Sequence, residues 1–294
     1  MSATASAPKY EAVMAQAPEE NFPVASRFLP RGQRRQLLAV YGVARLIDDV
    51  GDEALDTGPT DSTIGTPTRD RGELLNWLDA ELDRVFTGQV PDHPAMRSLA
   101  AVIKRDPLPE RPFRSLVQAN RQDQTVTRYE TFEQLLGYCR LSAAPVGELV
   151  LHVFGAATGE RLAQSESICA GLQVVEHIQD VAEDYSRGRV YMPQADMERL
   201  GCPEGDLGAA TASPALRELL SFESARARTL LDAGAPLART LPARPRLALA
   251  SFVAGGRAAL DAVARASYDV CLHPAPARSG RSFARAFARA VMGK

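Results

Sequence analysis

Cysteine, lysine and unbalanced charge are all scarce in this sequence. The four cysteines are scattered through 294 residues with no CxxC spacing, so we expect buried free thiols in a reducing cytoplasm. Only three of the 34 basic residues are lysines, a bias that we attribute to genome composition. The net charge is −2, and the chain therefore offers no overall basic field that would bind nucleic acid.

Long uncharged runs and targeting signals are also missing. The first twenty residues lack a basic start followed by an apolar run, so we expect no secretory signal. No stretch approaches the uncharged length that crosses a membrane. No Gly-rich loop follows a strand, so we expect no dinucleotide cofactor. These absences predict a cytoplasmic protein that is either free or peripheral to the inner membrane.

Composition divides the chain into three parts. Residues 1–20 are rich in Ala, Ser and Pro, and we expect them to be disordered. Residues 21–272 hold the apolar periodicity of one folded domain, and the hydrophobic content of 45% is enough for a large core. Residues 273–294 form a basic tail. Inside the domain, residues 56–71 have turn chemistry and predict an exposed insertion.

Helical spacing of apolar residues dominates the domain, and no run alternates with period two for long enough to argue a strand. The fold class that we predict is therefore all-α. Glycines and prolines mark the predicted helix ends. The predicted helices cover residues 34–53, 72–86, 95–104, 112–123, 131–155, 160–185, 214–234 and 244–268.

The first candidate site is an aspartate pair in the first long helix. Asp48 and Asp52 are four residues apart, which places both carboxylates on one helical face. Tyr41 and Arg45 extend the same face. Like charges at this spacing destabilise a helix unless a positive charge lies between them, and a hard divalent cation fulfils that need.

A second pair, Asp180 and Asp184, follows far along the chain. Gln173 and either Glu176 or His177 share its stripe, and the other positions of that helix are apolar. One such pair is weak evidence, because acidic pairs are common on exposed helix faces. Two copies within apolar helices favour a functional role.

The chemistry that suits two acidic pairs is the departure of a diphosphate. Mg²⁺ binds one or two carboxylates together with phosphate oxygens and water, and it neutralises the charge that develops on the leaving group. Arg45, Arg187 and Arg189 are placed to bind the remaining phosphate oxygens. For Arg187 an equally good interpretation is a solvated helix end that Gly188 caps.

These motifs resemble those of the squalene and phytoene synthase family. The resemblance runs from about residue 21 to 268 and implies an isoprenoid synthase helical bundle with a central cavity. The stretches that carry it are residues 44–53, 138–147, 172–184 and 188–193.

The resemblance also implies roles for individual residues. It assigns Mg²⁺ as the cofactor and a prenyl diphosphate as the substrate. The implied metal ligands, which are also catalytic, are Asp48, Asp52, Asp180 and Asp184, with Tyr41 and Arg45 as further catalytic residues. The implied substrate-binding residues are Phe22, Tyr138, Val146, Gly147, Gln173, Glu176, His177, Arg189 and Tyr191. Gly147 would make room for a long chain, although close helix packing explains a small residue equally well.

Three departures from the family pattern point to one branch. Glu176 replaces the usual Asn, Arg140 replaces the second Tyr of a Tyr-Cys-Tyr motif, and Gly256 stands where Tyr is frequent. With the segment 20–30, these changes are similar to the bacterial hopanoid-pathway branch. That resemblance implies a hydroxysqualene synthase, in which presqualene diphosphate loses diphosphate, the cation rearranges and water captures it without a reductant.

Two other functions share the same motifs. A condensing squalene or phytoene synthase, acting on farnesyl or geranylgeranyl diphosphate, would have every metal ligand in common. A non-catalytic relative would keep the bundle as a scaffold. Carboxylates buried in apolar helices without a cation are costly, which disfavours the scaffold.

The basic tail suggests a further partner. Arg281, Arg285 and Arg289 form one stripe and Phe283 and Phe287 another, which is typical of a helix that lies on an anionic membrane. A tail that packs on the body of the protein is the alternative.

Overall fold

The computed structural model describes residues 29–52 and 71–271, apart from the side chain of Asp52. No strand occurs in this described part, and the prediction of an all-α fold is confirmed. Several predictions lie outside it, namely those for Phe22, for residues 1–20, for the insertion 56–71 apart from its last residue, and for the tail 273–294.

The described residues before Val126 form one compact unit. Its core contains Leu46, Ile47 and Phe113, none of which is exposed. The first helix packs against the other three. The helices are α1 (Arg31–Asp52), α2 (Arg71–Thr87), α3 (Pro94–Ile103) and α4 (Arg111–Gln122).

The described residues from Val126 onward form the second compact unit. Its centre is a pair of long helices, α7 and α10, that lie along each other. The helices are α5 (Phe132–Ser142), α6 (Ala144–Val153), α7 (Gly159–Gln179), α8 (Val181–Ser186), α9 (Gln194–Arg199), α10 (Pro214–Gly234), α11 (Leu237–Thr240) and α12 (Ala243–Arg265), and a 3₁₀ turn covers Glu204–Gly208.

The prediction of one helix over residues 131–155 is wrong, because two helices meet at Ala143. Pro145 explains the break. Proline has no N–H to donate and collides with the carbonyl four residues earlier, so it is tolerated in the first turn of a helix and not in its interior. It accordingly lies in the first turn of α6.

The predicted helix over residues 160–185 is also divided, at Asp180. This residue has φ −100° and ψ 11°, close to the sparsely populated bridge region in which many active-site residues lie. The N–H of Asp184 still donates to the carbonyl of Asp180 at 2.8 Å, so the break bends the helix without separating the two residues. Neither proline nor glycine marks this break, and apolar spacing alone could not predict it.

The closest approach between α7 and α10 depends on Gly234. A Cβ atom at this position would lie 2.5 Å from the backbone carbonyl oxygen of Gln164 and 2.4 Å from Cγ1 of Ile168. The two backbones therefore meet only because residue 234 has no side chain.

We predict that Gly234→Ala lowers the free energy of unfolding by about 1–3 kcal/mol, because a backbone oxygen must move to admit the methyl group. Gly137→Ala is the matched control. A Cβ at Gly137, in α5, meets nothing within 4 Å, so the same change should stabilise the protein by about 0.5–1 kcal/mol. Urea titration of both variants checks the prediction, and an equal effect at both positions would contradict it.

One helix of the described part, α12, is long and apolar enough to cross a membrane. Its longest uncharged run is residues 247–256, so this finding does not contradict the expectation that no uncharged stretch reaches that length. In addition, 56% of the apolar window is buried inside the protein, and the core helix of a soluble protein passes the same test. Gly256, within α12, explains part of this burial, because a Cβ there would lie 2.7 Å from Cδ2 of Leu172 in α7.

A buried charge cluster connects α9 to α10. The Arg226 guanidinium pairs with the Asp196 carboxylate and lies 3.0 Å from Oε1 of Glu223. The Cζ atom of Arg226 lies 4.5 Å from the ring centre of Phe132 and 4.3 Å from that of Phe222, which are cation–π distances. The Glu223 side chain is 1% exposed.

Glu223 gives the fold a pH dependence. Burial raises the pKa of Glu223 to about 7, with Arg226 opposing the rise and Asp196 adding to it. Because the folded state holds this proton more tightly than the unfolded chain, the contribution to stability is complete below about pH 4.5 and is lost as the pH rises through about 7.

We predict that Glu223→Gln, which mimics the protonated carboxyl, removes this decline. Between pH 5 and pH 8 the melting temperature of the wild type should fall relative to that of the variant. Melting curves measured across that range check the prediction, and parallel curves would contradict it.

Candidate active site

The acidic end of α1 is built around Asp48 and Asp49. Asp48 is exposed, whereas the neighbouring Ile47 and Val50 are buried. Arg45, predicted to reach phosphate, donates from Nε to Oδ1 of Asp49 at 2.8 Å. A Cβ at Gly51 would lie 1.6 Å from Oδ1 of Asn120, so the glycine lets this amide reach the backbone between the two predicted ligands.

The second acidic pair lies at the junction of α7 and α8. Asp180 is exposed to solvent, whereas the Asp184 side chain is only 18% exposed. The pKa of Asp180 is raised mainly because the surrounding atoms shield its carboxylate from part of the solvent. Repulsion from the negative charges of Asp184 and Glu183 raises it further. The expectation that these carboxylates are buried within apolar helices is therefore wrong for Asp48 and Asp180.

The end of α8 places Asp184 and Arg189 close to each other. Gly188 has φ +79°, a left-handed conformation that glycine adopts without strain. Its N–H donates to the carbonyl of Tyr185 at 2.9 Å, and the N–H of Arg189 donates to the carbonyl of Asp184 at 2.9 Å. This is the Schellman arrangement of a helix end. Arg187 is half exposed and pairs with Glu183 at 2.8 Å.

An aromatic cluster adjoins this turn. It consists of Tyr129, Tyr138, Tyr191 and His177, each at most 7% exposed. The rings of His177 and Tyr191 are stacked with centroids 3.8 Å apart, and Tyr138 lies 5.7 Å from Tyr191. Nδ1 of His177 is 3.8 Å from Oδ2 of Asp184. The structure thus brings together three predicted substrate-binding residues and one predicted metal ligand.

Sequence reasoning missed Tyr129, which stacks on Tyr191 at 5.8 Å. Its position follows from an extended pairing of residues 127–130 with residues 190–195. The N–H of Val190 donates to the carbonyl of Thr127, and the N–H of Gln194 donates to that of Tyr129, each at 2.9 Å. Two short segments that pair outside any strand leave no periodic signal in the sequence.

His177, which the resemblance implies is a substrate-binding residue, is only 5% exposed. Its Nε2 atom is buried and has no hydrogen-bond partner within the described residues. A buried polar atom without a partner is costly, and functional sites are a common reason for one. The substrate-binding role of His177 stays a prediction.

The other predicted cavity residues differ in their exposure and packing. Val146 is 38% exposed. A Cβ at Gly147 would lie 2.5 Å from Oγ of Ser165 and 2.6 Å from Sγ of Cys169, so close packing of α6 on α7 already requires the glycine. Gln173 is half-buried and Glu176 is exposed, both on α7, and Tyr41 is half-buried on α1.

Arg140 and Gly256, two of the departures from the family pattern, have structural explanations. Arg140 is exposed and bridges Glu133 and Glu166 at 3.2 and 2.9 Å, which joins α5 to α7 on the outside. Gly256 is required by the contact with Leu172 described above. These positions therefore act on helix packing.

The donor set suits a hard cation that shares its ligands with a substrate. Within residues 29–52 and 71–271, no group of three or more His, Cys, Asp or Glu side chains could enclose a metal ion. Mg²⁺ rarely uses such a cage, because it keeps water and binds phosphate oxygens beside one or two carboxylates. Asp180 and Asp184, one helical turn apart, fit this requirement.

Comparisons with known proteins bear on this site as a whole. The squalene/phytoene synthase family model matches residues 15–284. A hydroxysqualene synthase of Rhodopseudomonas palustris is 36% identical over 221 residues, which is 75% of this chain and 70% of that protein. A 15-cis-phytoene synthase of Synechocystis is 33% identical and covers 71% of this chain and 62% of its own length.

A solved structure is similar over nearly its whole length. The crystal structure of squalene synthase HpnC from Alicyclobacillus acidocaldarius is 37% identical, with a TM-score of 0.77, and covers 91% of this chain and 99% of that one. This similarity confirms the predicted isoprenoid synthase fold. The chain therefore belongs to the squalene/phytoene synthase family, and it is an enzyme, a prenyltransferase-like synthase.

Proposed function

We propose that this enzyme converts presqualene diphosphate into hydroxysqualene. In the proposed reaction the C–O bond to diphosphate breaks and its electron pair leaves with the diphosphate. The carbocation rearranges, the oxygen of a water molecule bonds to it, and one proton is released. No electrons are gained or lost, so the reaction needs no reductant.

One observation in the structure carries this proposal. Acidic Asp184 and basic Arg189 are joined through the Gly188 turn, and buried aromatic rings adjoin them. A diphosphate needs the polar side of such a site, and a carbocation needs the aromatic side. The similarity to a hydroxysqualene synthase over three quarters of the chain supports the choice of product.

Asp48 and Asp52 are the proposed Mg²⁺ ligands of the first unit. At the polar side of the second unit, Asp180 and Asp184 would hold Mg²⁺. The ion would supply positive charge to the departing diphosphate oxygens. Arg189 is half-buried beside Asp184 and would bind the same diphosphate. In the first unit, Arg45 pairs with Asp49 and is a proposed phosphate-binding residue.

At the aromatic side, Tyr129, Tyr138 and Tyr191 would border the hydrocarbon. Aromatic faces carry partial negative charge and attract cations, and the burial of these rings excludes bulk water. Exclusion of water protects the cation until it has rearranged. Gln173 and His177 are the candidates for holding the capturing water.

The second candidate function is head-to-head condensation of two farnesyl or geranylgeranyl diphosphates. The similarity to a phytoene synthase favours it, since that enzyme is nearly as similar to this chain. The argument against the scaffold hypothesis has lost part of its support, because Asp48 and Asp180 are exposed and would cost little without a cation.

We further propose that the enzyme works in the cytoplasm and that its tail, residues 273–294, contacts the inner membrane. The support is the amphipathic arrangement of basic and aromatic residues in the tail. A lipid product would leave more readily at that surface.

We predict that purified enzyme with Mg²⁺ releases diphosphate from presqualene diphosphate and forms hydroxysqualene. Product analysis by gas chromatography and mass spectrometry decides the matter. Condensation of farnesyl or geranylgeranyl diphosphate, without turnover of presqualene diphosphate, would establish the second candidate. The absence of both reactions would establish the scaffold.

The double variant Asp180→Asn, Asp184→Asn serves as the negative control, and it should lose at least about a hundredfold in rate because two cation ligands are gone. Asp261→Asn is the matched surface variant. Asp261 pairs with Arg228 at 2.8 Å away from the aromatic cluster, and its loss should leave turnover unchanged.

A further inference from the structure

Arg128 makes four hydrogen bonds with one guanidinium group. Its Nε and Nη2 atoms donate to the two carboxylate oxygens of Glu204 at 3.0 and 2.6 Å, a two-pronged ion pair. Its Nη1 atom donates to the carbonyl of Gly188 at 2.7 Å and to that of Thr127 at 2.9 Å. The side chain is 34% exposed, yet four of its five N–H groups are engaged.

These bonds hold the Gly188 turn from one side. The backbone pairing of Val190 with Thr127 lies directly beside them and fixes the strand-like segment that leaves the turn. The charged side chain of Arg128 therefore bonds to the end of α8 through the carbonyl of Gly188. A carbonyl at a helix end otherwise depends on water.

The opposite side of the turn is also braced. Glu204 opens the 3₁₀ turn Glu204–Gly208, and that turn packs against α8. A Cβ at Gly208 would lie 2.6 Å from Cδ1 of Tyr185, so the Tyr185 ring rests directly on the glycine backbone. Arg128 therefore links the turn at Gly188 to an element that is itself packed on α8.

The Gly188 turn carries the polar part of the candidate active site. It joins Asp184 to Arg189 through one backbone hydrogen bond. Two residues later Tyr191 stacks on His177, whose Nδ1 lies 3.8 Å from Asp184. A shift of the turn would move the predicted cation ligand, the predicted diphosphate ligand and the aromatic wall together.

We propose that Arg128, through its ion pair with Glu204, is a positioning residue that fixes the Gly188 turn for diphosphate binding. The inference rests on the proposed function for the identity of the ligand. The guanidinium of Arg128 is bonded to Glu204 and to two backbone carbonyls, so its effect would pass through the carbonyl of Gly188.

A competing explanation assigns the effect of Arg128 to its charge alone. The two explanations predict opposite results for Glu204→Gln. If position matters, loss of the ion pair weakens diphosphate binding although Arg128 is still present. If charge matters, removal of a nearby carboxylate strengthens binding, and Arg128→Lys preserves it. Lysine cannot reproduce the two-pronged contact, so positioning requires Arg128→Lys to be impaired.

The binding test uses inorganic pyrophosphate with Mg²⁺, measured by calorimetry on the full-length protein, together with KM and kcat for presqualene diphosphate. We expect Arg128→Gln, Arg128→Lys and Glu204→Gln each to weaken pyrophosphate binding about tenfold and to raise KM more than they lower kcat. Arg228→Gln is the matched control. It removes the Arg228–Asp261 pair between α10 and α12, which is of similar exposure, and it should change neither quantity.

Hydrogen exchange of the Val190 amide separates positioning from general destabilisation. This N–H donates to the carbonyl of Thr127, the residue before Arg128. Its exchange should therefore become faster in Arg128→Gln, Arg128→Lys and Glu204→Gln, and it should stay unchanged in Arg228→Gln. Unchanged exchange, or unchanged pyrophosphate affinity, in Arg128→Gln would overturn the proposal. If the wild type binds pyrophosphate but turns over no substrate, the proposed function fails and the positioning role stands. If the wild type binds no pyrophosphate, the positioning role falls.

Discussion

The N–H of Arg189 donates to the carbonyl of Asp184 across the turn at Gly188, and the polar site of the second unit depends on this hydrogen bond. It requires a left-handed residue between the two, which Gly188 supplies at φ +79°. At the end of α8, the bond holds the backbone of Asp184, which bears a carboxylate, next to that of Arg189, which bears a guanidinium. It also starts the extended segment that delivers Tyr191 to the ring of His177. One turn therefore sets the distance between the part of the site that suits a diphosphate and the part that suits a carbocation.

Much of the fold could be predicted from the sequence, because the spacing of apolar residues indicates where helices lie. The helix predicted over residues 214–234 matches α10, and the two acidic motifs were found through their four-residue spacing. Pro145 could have divided the helix predicted over residues 131–155, since proline belongs in the first turn of a helix. The bend at Asp180 had no such signal. Arg128 and Tyr129 were missed for a related reason, since they act through pairing of short segments that have no period.

The residues that seemed to define the branch of the family prove less informative in three dimensions. Arg140 bridges two glutamates on the outside of the second unit, and Gly256 is needed where α12 meets Leu172. Gly147 is likewise required by Ser165 and Cys169. Small and charged residues at these positions shape the packing of helices, and a role in product choice would pass through that packing. His177 differs from them, because its buried Nε2 atom has no partner in the described part of the chain.

In the proposed mechanism, Mg²⁺ held by Asp184 and the guanidinium of Arg189 act on one diphosphate at the Gly188 turn of the second unit. A double-mutant cycle with Asp184→Asn and Arg189→Gln tests this most directly, with the affinity for pyrophosphate and Mg²⁺ measured by calorimetry. If both side chains act on one ligand, the two losses are not additive, and we expect an interaction energy of about 1 kcal/mol or more. Losses that add to within about 0.3–0.5 kcal/mol would mean independent sites and would contradict the claim.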